Sequence, residues 1–522
     1  DEVGSGRSSP TSTTERSEFV ARDPPLALPQ SHPHRCPLRS SVCDMPPLST
    51  PSLSRVALII LFCSSAAALP VREQESGGGA AALLTPGAAE DLITSLPALP
   101  EGVSFRQFSG YIPVHSGRSL FYWFVESSSP SSPSTDPVVL WTNGGPGCSG
   151  LTGFLSEQGP FRAVKGGSSK EAVLELNPYA WNKVANMIFI EQPAGVGFST
   201  ATGAIHYGDD QSATDNAAFV EGWLARFPQY KANPFYITSE SYGGHYLPTL
   251  AVKLKAKPGI NFKGFAVGNP LTWMPFRDFG QYATYAAHQL LPAPLWDDFL
   301  AAGCKKDISK AKCQTLLDTF DELTADIDPY GLDFPICHPS ASAYHALLRK
   351  LHQAKGRVGG YFPSRYKPCA DNYMIHYLNR VDVQGAIHIA TPGSVHWTPC
   401  SDSINSDYNV TDVGAPMMQV YEDLINGGGL KILVYSGDDD SICSTIGTQM
   451  WVWDLPANKE GGEVDHWRTW KTKGQVSGYT VAWKGMRLAT VHGAGHMVPA
   501  TRPAQALDLF KRFLHDGWKR DE

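Results

Sequence analysis

Three residue types that can together activate a hydroxyl group occur in this sequence in an informative order. Ser241 lies in the stretch Ser-Glu-Ser-Tyr-Gly-Gly, a run of three aspartates spans 438–440, and His492 and His496 flank the stretch Gly-Ala-Gly. A serine hydroxyl becomes a nucleophile when a base accepts its proton, and the base needs a carboxylate to orient it. Ser241, an aspartate of the run and one of the two histidines are therefore candidates for the nucleophile, the orienting acid and the base.

Short apolar runs typical of buried strands come directly before each candidate. Six such runs are predicted to be strands: 138–141, 187–190, 235–238, 265–267, 432–435 and 488–491. Helical patterns lie between several of them; Phe219, Trp223 and Phe227, for example, share one face of a predicted helix over 217–227. This alternation indicates a mostly parallel sheet covered by helices on both faces. Because functional groups in such sheets gather at the carboxyl ends of the strands, the order Ser, Asp, His predicts an α/β-hydrolase fold.

The turn around Ser241 has the features of a nucleophile elbow, in which a strand, a tight turn and a helix follow one another. The run 235–238 leads into the turn, and the helix-compatible stretch 247–254 follows it. The residue two positions before the serine is Ser239, which departs from the Gly of the G-x-S-x-G pattern but is also small. Taken singly, these motifs have plain alternatives: a Ser/Gly turn, a solvated aspartate run and a structural histidine. His245 and His288 are interpreted as structural because neither completes a second triad.

The N-terminal part of the chain has the composition of segments that lie outside a folded enzyme. Residues 1–44 are rich in Ser, Pro, Thr and Arg and are not expected in the mature protein. Residues 45–68 hold an arginine, a short apolar run and small residues in the order of a secretory signal peptide, and the run is roughly half of the ~20 residues of a membrane anchor. Residues 69–100 are predicted to be a leader or pro-segment. This leaves 101–522 as a single catalytic domain, without a membrane span, whose folded body is expected to start near Phe105.

The cysteines predict an oxidising compartment. Cys36, Cys43 and Cys63 lie in the segments expected to be absent, so 7 of the 10 remain, an odd number that predicts pairs plus one free thiol. None of the spacings is C-x-x-C, which argues against a zinc site.

The stretch at about 275–375 interrupts the alternation of strands and helices, with helical patterns at 295–302 and 343–352. It is predicted to be a helical cap insertion, stapled by disulfides because it is too small for its own core.

Composition and charge exclude some classes of function. Hydrophobic residues make up 42% and charged residues 18% of the chain, which is typical of a globular protein rather than a disordered one. The net charge is −7 and no cluster of five or more basic residues occurs, so nucleic-acid binding is not expected. Asn409 begins the sequon Asn-Val-Thr and is a candidate for glycosylation.

Several blocks taken together resemble the signature of the serine carboxypeptidases. The blocks are 141–149 (WTNGGPGCS), 191–199 (EQPAGVGFS), 240–244 (ESYGG), 435–438 (YSGD) and 493–499 (GAGHMVP). They occur in one order, and the resemblance spans the chain from about Phe105 to a C-terminal helix predicted at 503–514. Several long blocks in one order are far more specific than any single motif.

The resemblance implies a role for individual residues. Ser241 would be the nucleophile, His496 the base and Asp440 the orienting acid, since the family frame G-D-x-D places its second Asp at 440. The N–H groups of Gly145 and Tyr242 would bind the oxyanion. The residues implied for the carboxylate of a peptide C-terminus are Asn143, Gly144, Glu157 and Glu240, with Trp141 beside them. Two carboxyl groups facing a carboxylate require at least one proton, so an acidic pH optimum is expected.

The resemblance also implies the cysteine pairs, the substrates and the destination. The pairs would be Cys148–Cys400, Cys304–Cys313 and Cys337–Cys369, with Cys443 free. Substrates would be peptide and protein C-termini, no cofactor or metal ion is implied, and the destination would be secreted, vacuolar or lysosomal. The sequence leaves open whether the protein is a monomer or a homodimer.

Three other functions are compatible with the same fold: an acyltransferase, a catalytically silent binding protein or chaperone, and a lipase or esterase. Acyltransferase relatives tend to carry Asp before the nucleophile, so Glu240 and the two glycines after Tyr242 favour the peptidase. The complete set of three triad residues argues against the silent protein. A lipase or esterase would have no use for the carboxylate-binding set.

Overall fold

The computed structural model describes residues 84–115, 117–129, 133–167, 172–337, 369 and 371–518. Its strands are β1 (Gln107–His115), β2 (Arg118–Val125), β3 (Val138–Thr142), β4 (Phe161–Lys165), β5 (Ala172–Leu176), β6 (Asn186–Ile190), β7 (Thr200–Ala201), β8 (Phe235–Ser241), β9 (Phe262–Pro270), β10 (Lys431–Gly437), β11 (Glu463–Thr472), β12 (Gln475–Trp483) and β13 (Met486–Val491).

The helices are α1 (Pro86–Glu90), α2 (Asp209–Arg226), α3 (Gly243–Lys255), α4 (Met274–Ala287), α5 (Ala293–Ala301), α6 (Ala311–Thr324), α7 (Asp371–Leu378), α8 (Val381–Ala386), α9 (Asp402–Asp407), α10 (Val410–Gly414), α11 (Met418–Asn426), α12 (Thr445–Val452), α13 (Pro456–Gly461), α14 (Val498–Thr501) and α15 (Pro503–His515). Short 3₁₀ turns lie at Trp181–Lys183 and Pro228–Tyr230, and a π-helical turn lies at Gly153–Glu157. Among the described residues, no helix has the length and apolar character needed to cross a bilayer.

A mostly parallel sheet forms the centre of the described structure. It has 11 strands there, in the order β1-β2-β6-β3-β8-β9-β10-β13-β12-β11, with β7 paired to β2. The strands β6, β3, β8, β9, β10 and β13 are parallel, whereas β1–β2 and β11–β12 form antiparallel pairs at the edges. All six predicted strand runs lie within the parallel part. The α/β-hydrolase fold predicted from the sequence is therefore confirmed.

Both faces of the sheet are buried, as the continuous apolar runs predict. Leu140 and Ile237 pack into one core cluster, whereas their chain neighbours Val139 and Tyr236 pack into a second one. Because side chains alternate along a strand, the two clusters lie on opposite faces. Helix α2 begins at Asp209, earlier than the predicted residue 217, and buries Phe219 and Trp223 in the first cluster.

The cap insertion is helical, and in one respect the prediction about it is wrong. Helices α4, α5 and α6 and the turn after α5 bury Phe279, Phe299, Cys304, Cys313 and Phe320 in a separate core cluster. The insertion therefore has a small core of its own, because large aromatic side chains bury much apolar area in few residues. The predicted helix at 343–352 lies outside the described residues.

The packed body begins earlier than the sequence predicts. The carboxylate of Asp91 accepts hydrogen bonds from the Tyr122 hydroxyl and from Arg226 Nη1, both at 2.5 Å, and Leu92 pairs with Phe108. Residues 84–100 thus pack on the domain, and the predicted start near Phe105 is too late. The missed signal is an ion pair to a distant helix, which no local pattern reveals. The segments 1–44 and 45–68 and the first part of 69–100 lie outside the described residues.

Three disulfides join the cysteine pairs that the family resemblance implies. The pairs are Cys148–Cys400, Cys304–Cys313 and Cys337–Cys369. Cys443 is the free cysteine of the described residues. It is 5% exposed, and burial followed by the charge of Asp440 raises the pKa of its thiol well above the ordinary value.

A thiol map of the secreted protein tests this arrangement. We expect an alkylating reagent to leave the folded protein almost unlabelled and to modify Cys443 alone after denaturation without reduction, because burial hides the thiol and disfavours its thiolate. The measurement is peptide mass spectrometry before and after denaturation. Labelling of Cys148 in the unreduced protein would contradict the assigned pairs.

Candidate active site

Ser241 lies at the end of β8 in a sharp turn that leads into α3. Its φ is +60°, a left-handed backbone conformation that is uncommon for residues other than glycine. Small neighbours make the turn possible, because a Cβ atom on Gly243 would lie 2.2 Å from Ser239 Oγ, and one on Gly244 would lie 2.1 Å from the carbonyl oxygen of Leu271. The local structure is that of the predicted nucleophile elbow, with Ser239 tolerated at the position that is usually glycine.

Asp440 and His496 meet beyond the carboxyl ends of β10 and β13. His496 Nδ1 lies 2.7 Å from Asp440 Oδ2, and the two residues are 3% and 0% exposed. The Asp440 carboxylate also accepts the backbone N–H groups of Ile442 at 2.8 Å and Cys443 at 3.2 Å. These hydrogen bonds fix the position of the carboxylate, which orients the imidazole through Nδ1.

Asn269, which the sequence analysis missed, holds Asp440 in place. It lies buried near the end of β9, and its side-chain amide donates to Asp440 Oδ2 at 2.8 Å. Its side-chain oxygen accepts the backbone N–H of Gly437 at 3.0 Å. The residue therefore joins the ends of β9 and β10 beneath the aspartate. The available sequence signal for Asn269 was its position as a polar residue at the end of a predicted strand. That position does not show which residue its side chain contacts.

The cap insertion contacts His496 and the loop that carries Asp440. The carbonyl oxygen of Tyr330 accepts the backbone N–H of His496 at 2.7 Å, and the Tyr330 ring meets the imidazole edge to face. Pro329 accepts both the backbone N–H and the hydroxyl of Ser441, at 3.0 and 2.7 Å. The insertion thus supports the histidine and the loop that carries Asp440.

The loop after β3 contacts the turn after β8, which places the two predicted oxyanion donors on adjoining segments. A Cβ atom on Gly144 would lie 2.6 Å from the backbone nitrogen of Tyr242, so only glycine permits this approach. Gly145 follows with a φ of +113°. Backbone N–H groups held rigidly on two packed segments can stabilise an anion that develops on a substrate oxygen.

A buried pair of carboxyl groups lies beside this loop. Asn143 Nδ2 donates to Glu157 Oε1 at 3.1 Å and to Glu240 Oε1 at 2.9 Å. Burial, followed by the negative charge of Glu157, raises the pKa of Glu240 well above its usual range. The same two carboxyl groups also share a hydrogen bond. Two carboxylates this close cannot both be charged, so the pair keeps a proton.

Trp141 lies beside Asn143, where the resemblance places it, and supports the carboxyl pair from behind. The indole is wholly buried, and its N–H donates to Asn143 Oδ1 at 2.8 Å. Asn143 Oδ1 also accepts the backbone N–H of Gly153 at 3.1 Å. These bonds fix which end of the asparagine amide points at the carboxyl groups.

One cavity brings the predicted groups together. It has a volume of about 990 Å³, and its lining includes Ser241, His496, Asn143, Gly144, Gly145 and Glu240. Glu157, Asp440 and Tyr242 are at most 1% exposed. A serine, an imidazole oriented by a carboxylate and a proton-bearing carboxyl pair can bind an acyl compound that ends in a carboxylate and attack its carbonyl group.

The remaining predicted residues lie apart from this chemistry. Asn409 is exposed and its side chain caps α10 by accepting the N–H of Thr411 at 2.9 Å. His288 lies near the carbonyl oxygen of Asp438, with 3.3 Å between the ring nitrogen and the oxygen. His245 is wholly buried behind the elbow.

Comparison with known proteins places this geometry in context. A family model described as serine carboxypeptidase matches residues 97–516. Serine carboxypeptidase-like 26 of Arabidopsis thaliana is 39% identical over 439 residues, which cover 81% of this chain and 93% of that protein. Serine carboxypeptidase 24 of Arabidopsis thaliana is 39% identical over 448 residues, covering 81% and 92%.

A solved structure shows the same fold. The crystal structure of Kex1, a prohormone-processing carboxypeptidase from Saccharomyces cerevisiae, aligns with a TM-score of 0.66 at 20% identity. The alignment covers 83% of this chain and 97% of that one.

Replacing Asn269 with alanine tests the support of Asp440. We expect Asn269→Ala to slow covalent labelling of Ser241 by an organophosphate ~10-fold, because an unanchored aspartate orients the imidazole less well. The free energy of unfolding should fall by about 1–3 kcal/mol, since buried partners lose their hydrogen bonds. The measurements are the labelling rate and denaturant unfolding.

Asn233→Ala is the matched control, because Asn233 is also buried and donates to the carbonyl oxygen of Asp136, at 2.7 Å. It should lower stability and leave labelling unchanged. Equal labelling rates for Asn269→Ala and the wild type would show that Asn269 does not support Asp440.

Proposed function

Since the chain belongs to the serine carboxypeptidase family, we propose that it removes C-terminal residues from peptides and proteins at acidic pH through an acyl-enzyme on Ser241. The observation that carries the proposal is the proton-bearing pair Glu157 and Glu240, with Glu240 lining the same cavity as Ser241 and His496. A carboxyl group that stays protonated can donate a hydrogen bond to a free chain end. An internal peptide bond offers no such carboxylate.

In the proposed reaction, His496 accepts the proton of the Ser241 hydroxyl as its oxygen attacks the carbonyl carbon of the last peptide bond. The carbonyl oxygen becomes an oxyanion and binds the N–H groups of Gly145 and Tyr242. The imidazolium, stabilised by Asp440, then gives its proton to the leaving amine. A water molecule, activated by the same imidazole, hydrolyses the ester and restores the serine.

Recognition of the chain end depends on the protonation of the carboxyl pair. Protonated Glu240 donates to the substrate carboxylate, and Gly144 can offer its backbone N–H beside it. Asn143 holds the pair in position through its two bonds. Because the pKa of Glu240 is raised, this donor persists at a higher pH than it would in an ordinary glutamate, whose pKa is ~4.3.

An acyltransferase of the same fold is the alternative, in which an alcohol rather than water would accept the acyl group. The carboxyl pair favours the peptidase, since an acyl donor without a free carboxylate would not use it. Addition of an alcohol acceptor distinguishes the two, because a transferase would release more acyl ester than acid.

We also propose that the chain passes through the secretory pathway and is secreted or reaches a vacuole or lysosome. The three disulfides support this, because such bonds persist in oxidising compartments. Residues 45–68 would be the signal peptide.

The nucleophile is tested by Ser241→Ala. We expect loss of peptide release by a factor of at least ~10³ and loss of organophosphate labelling, because no hydroxyl remains to form the acyl-enzyme. Circular dichroism and the unfolding midpoint should stay close to the wild type. Retained activity in this variant would remove the central claim.

The carboxylate recognition is tested with a free-acid dipeptide and its C-terminal amide. For the free acid, kcat/KM should be highest at acidic pH and should fall as the pH rises through the raised pKa of Glu240, because the donor proton is then lost. The amide needs no such proton, so its optimum should lie closer to neutral pH. The measurement is a pair of pH profiles on the wild type.

Glu240→Gln is the comparison variant, since glutamine keeps a donor and does not titrate. The decline of its free-acid profile at high pH should be smaller than that of the wild type. Superimposable free-acid and amide profiles on the wild type would exclude recognition through the carboxyl pair.

A further inference from the structure

Three buried tyrosines form a cluster directly behind the elbow. This tyrosine cluster consists of Tyr242, Tyr246 and Tyr408, which are 0%, 2% and 2% exposed. The Tyr242 ring meets the other two rings edge to face, with centroid distances of 5.0 Å to Tyr246 and 5.5 Å to Tyr408. The residue that follows the nucleophile is thus enclosed on two sides.

The carboxylate of Asp209, at the start of α2, anchors the cluster. Asp209 Oδ1 accepts the hydroxyl of Tyr242 at 3.0 Å and that of Tyr408 at 2.9 Å. Asp209 Oδ2 lies 3.0 Å from Nδ1 of His245, whose ring stacks on Tyr242 at 4.6 Å with an interplanar angle of 8°. Three donors on one buried carboxylate fix the Tyr242 side chain at its hydroxyl end and along its face.

The tyrosine cluster also contacts the loop that carries Gly145, the other proposed oxyanion donor. The backbone N–H of Gly147, two residues after Gly145, donates to the Tyr246 hydroxyl at 3.3 Å. Tyr242 is the N-cap residue of α3, Tyr246 lies four residues further on, and their rings contact each other. The two segments that carry the proposed donors are therefore joined through one set of packed side chains as well as through the contact at Gly144.

We propose that Asp209 is a positioning residue for the oxyanion site, which it acts on by holding Tyr242 and, through the tyrosine cluster, the loop of Gly145. The inference rests on the proposed function in taking the Tyr242 N–H as an oxyanion donor. The side chain and the N–H of Tyr242 share one Cα atom in a turn whose preceding residue is left-handed. The Asp209 carboxylate holds the Tyr242 hydroxyl, and the ring between the hydroxyl and the backbone is rigid. The hydrogen bond therefore limits rotation of the Tyr242 N–H.

The alternative is that these bonds only stabilise the fold, and the two cases differ in what a lost bond changes. A stabilising bond affects unfolding alone. A positioning bond affects the transition state, whose oxygen carries charge, more than the bound substrate, whose oxygen does not. Separate measurement of kcat and KM, together with a comparison of ligands that do and do not form an oxyanion, therefore distinguishes a positioning bond from a stabilising one.

The principal variant is Tyr242→Phe, which removes only the hydroxyl and keeps the ring and the N–H. We expect kcat for a free-acid dipeptide to fall ~10-fold with KM unchanged within about twofold, a smaller loss than that caused by deleting an oxyanion donor. Binding of an N-blocked amino aldehyde, which adds to the serine and creates an oxyanion, should weaken by the same factor. Binding of the corresponding alcohol, which forms no adduct, should not change.

Asp209→Asn is the second variant, and it carries the test if Tyr242→Phe does not fold. It should show the same pattern, and the double variant should be no slower than the slower single one, because both changes weaken the same hydrogen bond. Tyr122→Phe is the matched control, since it removes another buried tyrosine hydroxyl from a carboxylate, that of Asp91. It should lower the melting temperature and leave kcat and aldehyde binding unchanged.

Wild-type kcat and aldehyde binding in both Tyr242→Phe and Asp209→Asn would overturn the proposal and leave Asp209 a purely structural residue. Failure of the proposed function is a separate result: a wild type that does not hydrolyse the dipeptide. In that case the ratio of aldehyde to alcohol binding across the variants still decides the role of Asp209.

Discussion

The left-handed backbone of Ser241 is the constraint on which the rest of the site depends. Such a conformation costs on the order of 1–3 kcal/mol for a residue with a side chain, so the surrounding structure must impose it. Here β8 lies between β3 and β9 with both faces buried, and α3 begins immediately after the turn. The turn places Ser241 in the lining of the cavity and at the same time brings the backbone nitrogen of the next residue beside Gly144. One backbone angle thus sets the positions of both the proposed nucleophile and an oxyanion donor.

Two buried carboxyl environments lie within this small region, and they differ in the groups that surround each carboxyl. Asp440 is surrounded by a histidine, an asparagine amide and two backbone N–H groups. Glu240 has Asn143 as a donor but a second carboxyl group as its other close neighbour. Burial beside the second carboxyl group raises the pKa of Glu240, whereas the Asp440 carboxylate is held in place by hydrogen bonds from its neighbours.

The features that the sequence predicted are those with a local signal. Apolar runs mark the buried strands, and small residues around Ser241 mark the elbow, so the fold and the strand-end positions of the serine, aspartate and histidine follow from pattern alone. Asn269, Tyr330 and Asp209 were missed because their roles arise from contacts with residues far away in the chain. The start of the domain was misplaced for the same reason, since Asp91 pairs with a distant arginine. The core of the cap was missed because its aromatic residues are widely spaced in the sequence.

The bond between Cys148 and Cys400 bears on when this protein becomes functional in the cell. It fastens the loop of Gly145 to a segment 252 residues further along the chain. A nascent chain that has already exposed the serine elbow still lacks the cysteine needed to secure that loop, and the aspartate and histidine emerge later still. The loop can therefore be secured covalently only after Cys400 has been translated, and only in surroundings in which disulfides persist.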